Sequence, residues 1–183
     1  MAFVVVYDAN VLYPNALRDL LIRVAQAGMV QAKWTHQILD ETFRNLQENL
    51  TDVTPEKIEV LKTRMLGAIR DVLVLGHEPL IDALDLPDPD DRHVLAAAIK
   101  ARAQIIVTFN LKDFPEDRLA PWQVEAQHPD EFIHDLIDLK KTTVFGAVQR
   151  MADATKNPPL SVDEVLSRLY RCGLVESVDA LRA

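Results

Sequence analysis

The sequence is poor in the residues that define several common classes of protein. Among its 183 residues there is one cysteine, Cys172, which excludes an intrachain disulfide and a cysteine-based zinc site. It has five glycines, and none stands between a predicted strand and helix as a phosphate-binding loop requires. The chain therefore lacks the P-loop and the dinucleotide-binding fingerprint. Neither the G-x-S-x-G motif of hydrolases nor the H-E-x-x-H motif of zinc proteases occurs.

Long apolar runs and positive charge are also scarce. No apolar run is long enough to span a bilayer, and the first run lacks a basic leader, so we expect neither a membrane segment nor a signal peptide. The net charge of −8 argues against nucleic-acid binding through broad electrostatic attraction. It is compatible with an enzyme that concentrates carboxylates around metal ions, because the ions reverse the local charge. We therefore expect a globular, cytoplasmic protein.

The first predicted strand ends at a carboxylate. Residues 2–7 read AFVVVY, a continuous apolar run typical of a strand buried on both faces of a parallel sheet. Asp8 follows, at the point where open α/β sheets place their chemistry. Taken alone, Asp8 is equally well explained as the cap of the following turn.

Strand and helix patterns alternate along most of the chain. The strand patterns cover residues 2–7, 30–34, 72–75, 104–109 and 122–126. The helical patterns between them cover residues 15–28, 35–50, 54–72 and 90–102. This alternation predicts an α/β fold, with an open parallel sheet of four to five strands flanked by helices.

From Pro129 onward only helical patterns remain. They cover residues 132–139 and 144–154, and a last helix begins at Ser161 with a capping box and ends at Gly173. We therefore predict an α/β domain over residues 1–134 and an all-helical C-terminal extension over residues 135–183.

Three carboxylates stand at strand ends or helix starts. Asp8 follows the first strand, Asp113 follows the strand over 104–109, and Asp91 begins an alanine-rich helix on its core-facing side. Because the ends of neighbouring parallel strands meet, these acids are expected to share a cleft. Carboxylates in one cleft repel unless a divalent cation neutralises them, and hard oxygen ligands suit Mg²⁺ or Mn²⁺. Such an ion would activate water for displacement at phosphorus.

A fourth acid on the helix over 35–50 is not assigned by periodicity. Glu41 lies opposite the apolar stripe of this helix and Asp40 flanks the stripe, so a solvated helix face explains either residue. His93, near Asp91, is predicted to be an exposed helix residue.

Four stretches resemble motifs of the PIN-domain nucleases, especially the VapC-like toxins of prokaryotic toxin–antitoxin pairs. They read VVVYDANVL, THQILDET, DPDDRHVLAAA and IIVTFNLKDF, and the resemblance covers residues 3–134. It implies a ribonuclease that uses Mg²⁺ or Mn²⁺. It also implies the catalytic and metal-binding acids, which are Asp8, Glu41 rather than Asp40, Asp91 and Asp113. Thr108 and Asn110 match polar residues that line the family's site, and Asn10 lies close to the first acid.

The resemblance also implies partners, namely an RNA substrate, a cognate antitoxin protein and a second copy of the chain in a homodimer. Two other functions are weighed against this one. A catalytically inactive PIN-like scaffold, binding RNA or a protein through the helical extension, is disfavoured by the presence of all four acids. A phospho-accepting receiver domain is disfavoured because neither an acidic pair after the first strand nor a lysine after the fifth is evident.

Overall fold

Four parallel strands form the centre of the fold in the structure, a computed structural model that describes residues 2–183. The strands are β1 (Phe3–Tyr7), β2 (Val30–Lys33), β3 (Ile105–Val107) and β4 (Glu125–Gln127). Their order is β2-β1-β3-β4, with Val5 opposite Ala32 on one side and Ile105 on the other. The continuous apolar run of β1 is explained by this central position, and the predicted α/β fold class is confirmed.

Ten α-helices lie in the described residues. They are α1 (Ala9–Leu12), α2 (Asn15–Gln26), α3 (His36–Asn49), α4 (Pro55–Ala68), α5 (Glu78–Ile81), α6 (Arg92–Ala101), α7 (Glu116–Leu119), α8 (Pro129–Ala154), α9 (Val162–Arg171) and α10 (Val175–Arg182). Side-chain caps begin three of them where the sequence predicts a start. The hydroxyls of Thr35, Thr54 and Ser161 each accept a hydrogen bond from the backbone N–H three residues on.

Two predicted strands differ from those observed. Over residues 72–75 there is only an isolated bridge between Leu73 and Trp34, because the chain turns into α3 immediately after Trp34 and the ladder cannot continue. The last strand begins later than predicted. Trp122 ends a 3₁₀ turn and Gln123 has a positive φ of 57°, so extended backbone starts only at β4.

The C-terminal part is helical, as predicted, but its helices differ in detail. Residues 129–154, named α8 here, consist of two helical segments that meet at Lys140, whose φ of −160° and ψ of 80° are not helical, so the prediction of two helices is confirmed. The helix α10 was not predicted at all. The long helix α8 packs on α2, α9 and α10, and Phe132 meets Tyr7 of the central strand edge-on, with ring centroids 6.1 Å apart. The division after residue 134 falls inside α8 and stays a prediction. Within residues 2–183, no helix has the length and apolar character needed to cross a membrane.

Candidate active site

The carboxyl ends of β1 and β3 bring two predicted site residues together. Asp8 follows β1 and Thr108 follows β3, and these strands are neighbours in the sheet. The Asp8 backbone N–H donates to the carbonyl of Val107 at 3.1 Å, which continues the ladder one residue past β1. Residues separated by 100 positions in sequence are therefore placed side by side.

Thr108 is the centre of a hydrogen-bond network that orients Asp8. Its hydroxyl accepts from the side-chain amide of Asn10 at 3.2 Å and from the backbone N–H of Asn110 at 3.1 Å. Because these donors occupy the lone pairs, the hydroxyl hydrogen is directed to Oδ2 of Asp8, 2.9 Å away. The other oxygen, Oδ1, accepts from the backbone N–H of Ala9 at 2.8 Å. All three predicted supporting residues thus lie around the first acid.

Asp8 is buried, and burial raises the pKa of its carboxyl group. The hydrogen bonds from Thr108 and Ala9 act in the opposite direction, whereas the negative charge of Glu41 raises the pKa further. The two acids are therefore close enough to interact, although Asp8 follows β1 and Glu41 lies on α3. Asp8 also caps α1, so the local role that the sequence suggested and its place in the site coexist.

The structure separates Glu41 from its neighbour Asp40. The Glu41 side chain is 30% exposed, and its Oε1 lies 2.7 Å from Nε2 of His93 on α6. The Asp40 side chain is 57% exposed and lies 3.5 Å from the ammonium group of Lys62 on α4. Glu41 therefore points toward the carboxyl end of the sheet, whereas Asp40 points toward α4.

Asp91 lies where the charges of the other predicted acids converge. It ends a 3₁₀ turn and directly precedes α6. Its pKa is raised to about 7, first by burial and then by the negative charges of Asp8, Asp88, Asp113 and Glu41. The charges of Asp8, Glu41 and Asp113 therefore all reach Asp91, although no three ligand atoms of these four acids lie within 4.8 Å of one another in residues 2–183.

Asp113, the fourth predicted acid, and Asp88, which is not one of the four, both influence Asp91 but differ in burial. Asp113 ends a 3₁₀ turn after β3, is half-buried, and acts on Asp91 through its charge. Asp88 is exposed and accepts a hydrogen bond from the backbone N–H of Asp90 at 2.9 Å, so part of its role is to shape the turn before Asp91.

The chemistry of the four acids fits Mg²⁺ or Mn²⁺. All their ligand atoms are carboxylate oxygens, and Mg²⁺ is commonly held by one or two carboxylates while it keeps several waters. A second group, which we call the α8 cluster, consists of His134, Asp135 and Asp138. Its ligand atoms lie within 4.8 Å of one another, the only such trio in residues 2–183, but all three residues are on the surface of one helix.

Sequence reasoning missed the position of His93. It was predicted to be exposed, but it is 2% exposed, because α6 is covered on the side where Val94 and Ala97 are also buried. The signal available in the sequence was the run VLAAA that follows His93, which indicates a helix buried over most of its circumference.

Two family models match the chain. The one described as "PIN domain" matches residues 4–112, and the one described as "VapC50 C-terminal domain" matches residues 129–183. A Mycobacterium tuberculosis protein (strain ATCC 25618 / H37Rv) named "Putative ribonuclease VapC50" is 44% identical over 94 residues. That alignment covers 51% of this chain and 55% of the relative, so it spans about half of each. No solved structure matches the chain.

Proposed function

Because this chain belongs to the PIN-domain family, we propose that it is a metal-dependent endoribonuclease that hydrolyses RNA phosphodiester bonds. The observation that carries the proposal is the convergence of Asp8, Glu41, Asp91 and Asp113 at the carboxyl end of the sheet. Four carboxylates from separate parts of the chain, partly removed from water, repel one another. A fold that holds them together in spite of this is well explained by a cation site.

The four acids would hold one or two Mg²⁺ or Mn²⁺ ions, in keeping with the divalent ions that PIN nucleases generally use. When bound, such an ion lowers the pKa of a coordinated water and stabilises negative charge that develops at phosphorus. The chain supplies the ligands and their orientation.

The protein's own residues prepare two of these ligands. The hydroxyl of Thr108 and the backbone N–H of Ala9 fix both oxygens of Asp8 before any ligand arrives. Asp91, with its pKa raised to about 7, must lose its proton before its carboxylate can serve as a ligand. The site is therefore expected to work better above neutral pH than below it.

The proposed biological role is that of a toxin in a toxin–antitoxin pair. Its support is the match of residues 129–183 to the VapC50 C-terminal domain, together with the name of the relative. On this proposal the partners are an RNA substrate, a cognate antitoxin protein and a second copy of the chain in a homodimer. The proposed location is the cytoplasm, where RNA is accessible.

The experiment that tests the nuclease is cleavage of a panel of structured and single-stranded RNAs. The purified chain is assayed with Mg²⁺, with Mn²⁺ and with EDTA. Two adjacent acids on α3 provide a matched pair of variants, since Glu41→Gln alters the site and Asp40→Asn alters only the contact with Lys62. We expect cleavage that requires a metal, is lost in Glu41→Gln and is retained in Asp40→Asn.

The proposal fails if no RNA is cut with either metal and calorimetry detects no metal binding. That result would favour a catalytically inactive PIN-like scaffold. Equal loss in the two variants would show that the assignment of Glu41 over Asp40 is wrong while leaving the nuclease in place.

A further inference from the structure

A buried imidazole contacts one of the four acids from outside the proposed ligand set. Nε2 of His93 lies 2.7 Å from Oε1 of Glu41, and the His93 side chain is 3% exposed. His93 is also close enough to Asp8 to influence its carboxyl group electrostatically. His93 is therefore a residue of α6 that lies beneath the site and faces acids from two other parts of the chain.

We propose that His93 is a positioning residue that holds the Glu41 carboxylate in place for a divalent cation. This inference rests on the proposed function. Because His93 is buried, it cannot reach an RNA phosphate. Because Nε2 already faces a carboxylate oxygen, it acts on a cation through Glu41 rather than as a ligand itself.

Glu41 needs such a partner more than Asp8 does. Asp8 has a short side chain, and its two oxygens accept hydrogen bonds from Ala9 and Thr108. Glu41 has one more rotatable bond, and its side chain is 30% exposed, so more freedom is lost when its carboxylate is immobilised. A buried donor on α6 reduces that loss, and partners of this kind typically strengthen metal binding.

The contact between His93 and Glu41 is short, but it is not a fully aligned hydrogen bond. Among the described residues, neither ring nitrogen of His93 has a hydrogen-bond partner with good geometry. Contacts in active sites without substrate are often misaligned and tighten when the complex forms. We therefore expect cation binding at Glu41 to change the environment of the His93 ring.

A second buried histidine provides a matched control. His77, which directly precedes α5, is 4% exposed, and its two ring nitrogens also have no hydrogen-bond partner within residues 2–183. Burial lowers the pKa of His77, Glu78 acts in the opposite direction, and His93 lowers the pKa further, so the two buried histidines are neighbours. The carboxylate nearest to His77 is that of Glu78, with Nδ1 3.7 Å from Oε2, and Glu78 is not one of the four acids.

The test is calorimetric titration of the full chain with Mn²⁺ at constant pH, with RNA cleavage measured in parallel. The variants are His93→Leu, His93→Gln and His77→Leu. We expect His93→Leu to weaken Mn²⁺ binding about tenfold, the lower range for an outer-shell partner. His93→Gln, which retains an N–H donor, should recover most of the affinity. His77→Leu should lower the melting temperature but keep the wild-type affinity within about twofold.

A folded His93→Leu variant with wild-type Mn²⁺ affinity overturns the proposal, as does a loss of equal size in His93→Gln. If His93→Leu does not fold, NMR of the wild-type chain decides. Adding Mg²⁺ should shift the ring resonances of His93 more than those of its neighbour His77, and an unmoved His93 overturns the proposal. Wild-type protein that neither binds Mn²⁺ nor cuts RNA would instead overturn the proposed function itself.

Discussion

The four acids at the carboxyl end of the sheet and the α8 cluster contain similar chemical groups in opposite settings. The four acids come from separate parts of the chain, and the fold brings them together. The α8 cluster lies within residues 134–138, about one turn of a single helix, where the helical repeat alone brings its members together. Its ligand atoms are nevertheless the more closely spaced of the two groups.

The difference between the two regions shows that short distance is a poor mark of a functional site. Asp138 has a side chain that is 71% exposed, and its Oδ2 lies 3.5 Å from Nδ1 of His134, so its carboxylate is solvated by water. Asp8 is buried and doubly hydrogen-bonded, and the pKa of Asp91 is raised to about 7. Carboxylates that are removed from water and repel one another lower the stability of the fold. A protein keeps such groups where the binding of a ligand compensates for the lost stability.

The largest expected difference between the two regions is in RNA cleavage, and it is measured with one substitution in each region. Since outer-shell partners of a metal already contribute about 10–100-fold, Asp91→Asn should lower RNA cleavage by more than about 100-fold. Asp138→Asn on α8 should leave cleavage unchanged. Both rates are measured with Mg²⁺ on an RNA that the wild-type chain cuts.

The fold of both variants is checked by circular dichroism and thermal melting. Asp91→Asn should melt no earlier than the wild type, because it removes one of several repelling charges. A loss of cleavage in Asp138→Asn as large as that in Asp91→Asn would reverse the comparison and move the candidate site to α8.

A smaller effect is expected at Thr108, which orients Asp8 without being one of the four acids. Thr108→Val keeps the shape of the side chain but removes the donor to Asp8 and the acceptor for Asn10 and Asn110. We expect a loss of about 1–3 kcal/mol in stability from the unpaired groups. We also expect Mn²⁺ affinity to fall about tenfold.

Chemical denaturation and calorimetry measure these two quantities. Thr108→Ser keeps the hydroxyl and serves as the control, so it should recover the metal affinity. A Thr108→Ser variant as impaired as Thr108→Val would show that packing of the methyl group, rather than the hydrogen bond to Asp8, is what matters.

The parts of this site that the sequence predicts are those set by local pattern. The apolar run of β1 predicts a central strand, and the carboxyl end of that strand identifies Asp8. The choice between Glu41 and Asp40 depends on α6, a helix more than 50 residues later in the chain whose His93 contacts Glu41. A helical wheel contains no information about that neighbour, so only the family resemblance favoured Glu41.

The helix α10 was missed for a similar reason. The residue before it, Leu174, offers no capping side chain, and the preceding Gly173 looks like the end of a helix rather than the approach to another. The cap comes from another helix. The carboxylate of Asp130 on α8 accepts hydrogen bonds from the backbone N–H groups of Glu176 and Ser177 at 3.0 and 2.9 Å.

This distant cap leads to a third prediction, in which an acid on α8 affects stability and not activity. Asp130→Ala leaves two N–H groups of α10 without their partner, so the free energy of unfolding should fall by about 1 kcal/mol, typical of a lost cap. Urea denaturation measures the loss, with Asp138→Ala as the exposed control. Mn²⁺ affinity should not change, and weakened binding in Asp130→Ala would indicate that α8 and the sheet site are coupled.

The smallest expected effect is a dependence of stability on pH, which arises from the burial of Asp91 and the repulsion among the four acids. The pKa of Asp91 is about 7 in the folded chain and 3.8 as the ordinary value, so the folded state holds this proton more tightly. The stability that this group contributes is therefore full below about pH 4 and is lost as the pH rises through about 7. The effect should be modest because Asp91 is only half-buried and water screens its charge.

Between pH 5 and pH 8 in EDTA, the wild type should accordingly lose more stability than Asp91→Asn, which cannot ionise at this position. Thermal melting of both proteins at the two pH values measures the difference, and titrating groups away from the four acids cancel because they are common to both. Mg²⁺ at pH 8 should raise the melting temperature of the wild type more than that of the variant, since the cation offsets the repulsion that ionised Asp91 adds. Parallel pH profiles for the two proteins would mean that Asp91 is ionised throughout this range, and that the four acids repel one another less than their placement indicates.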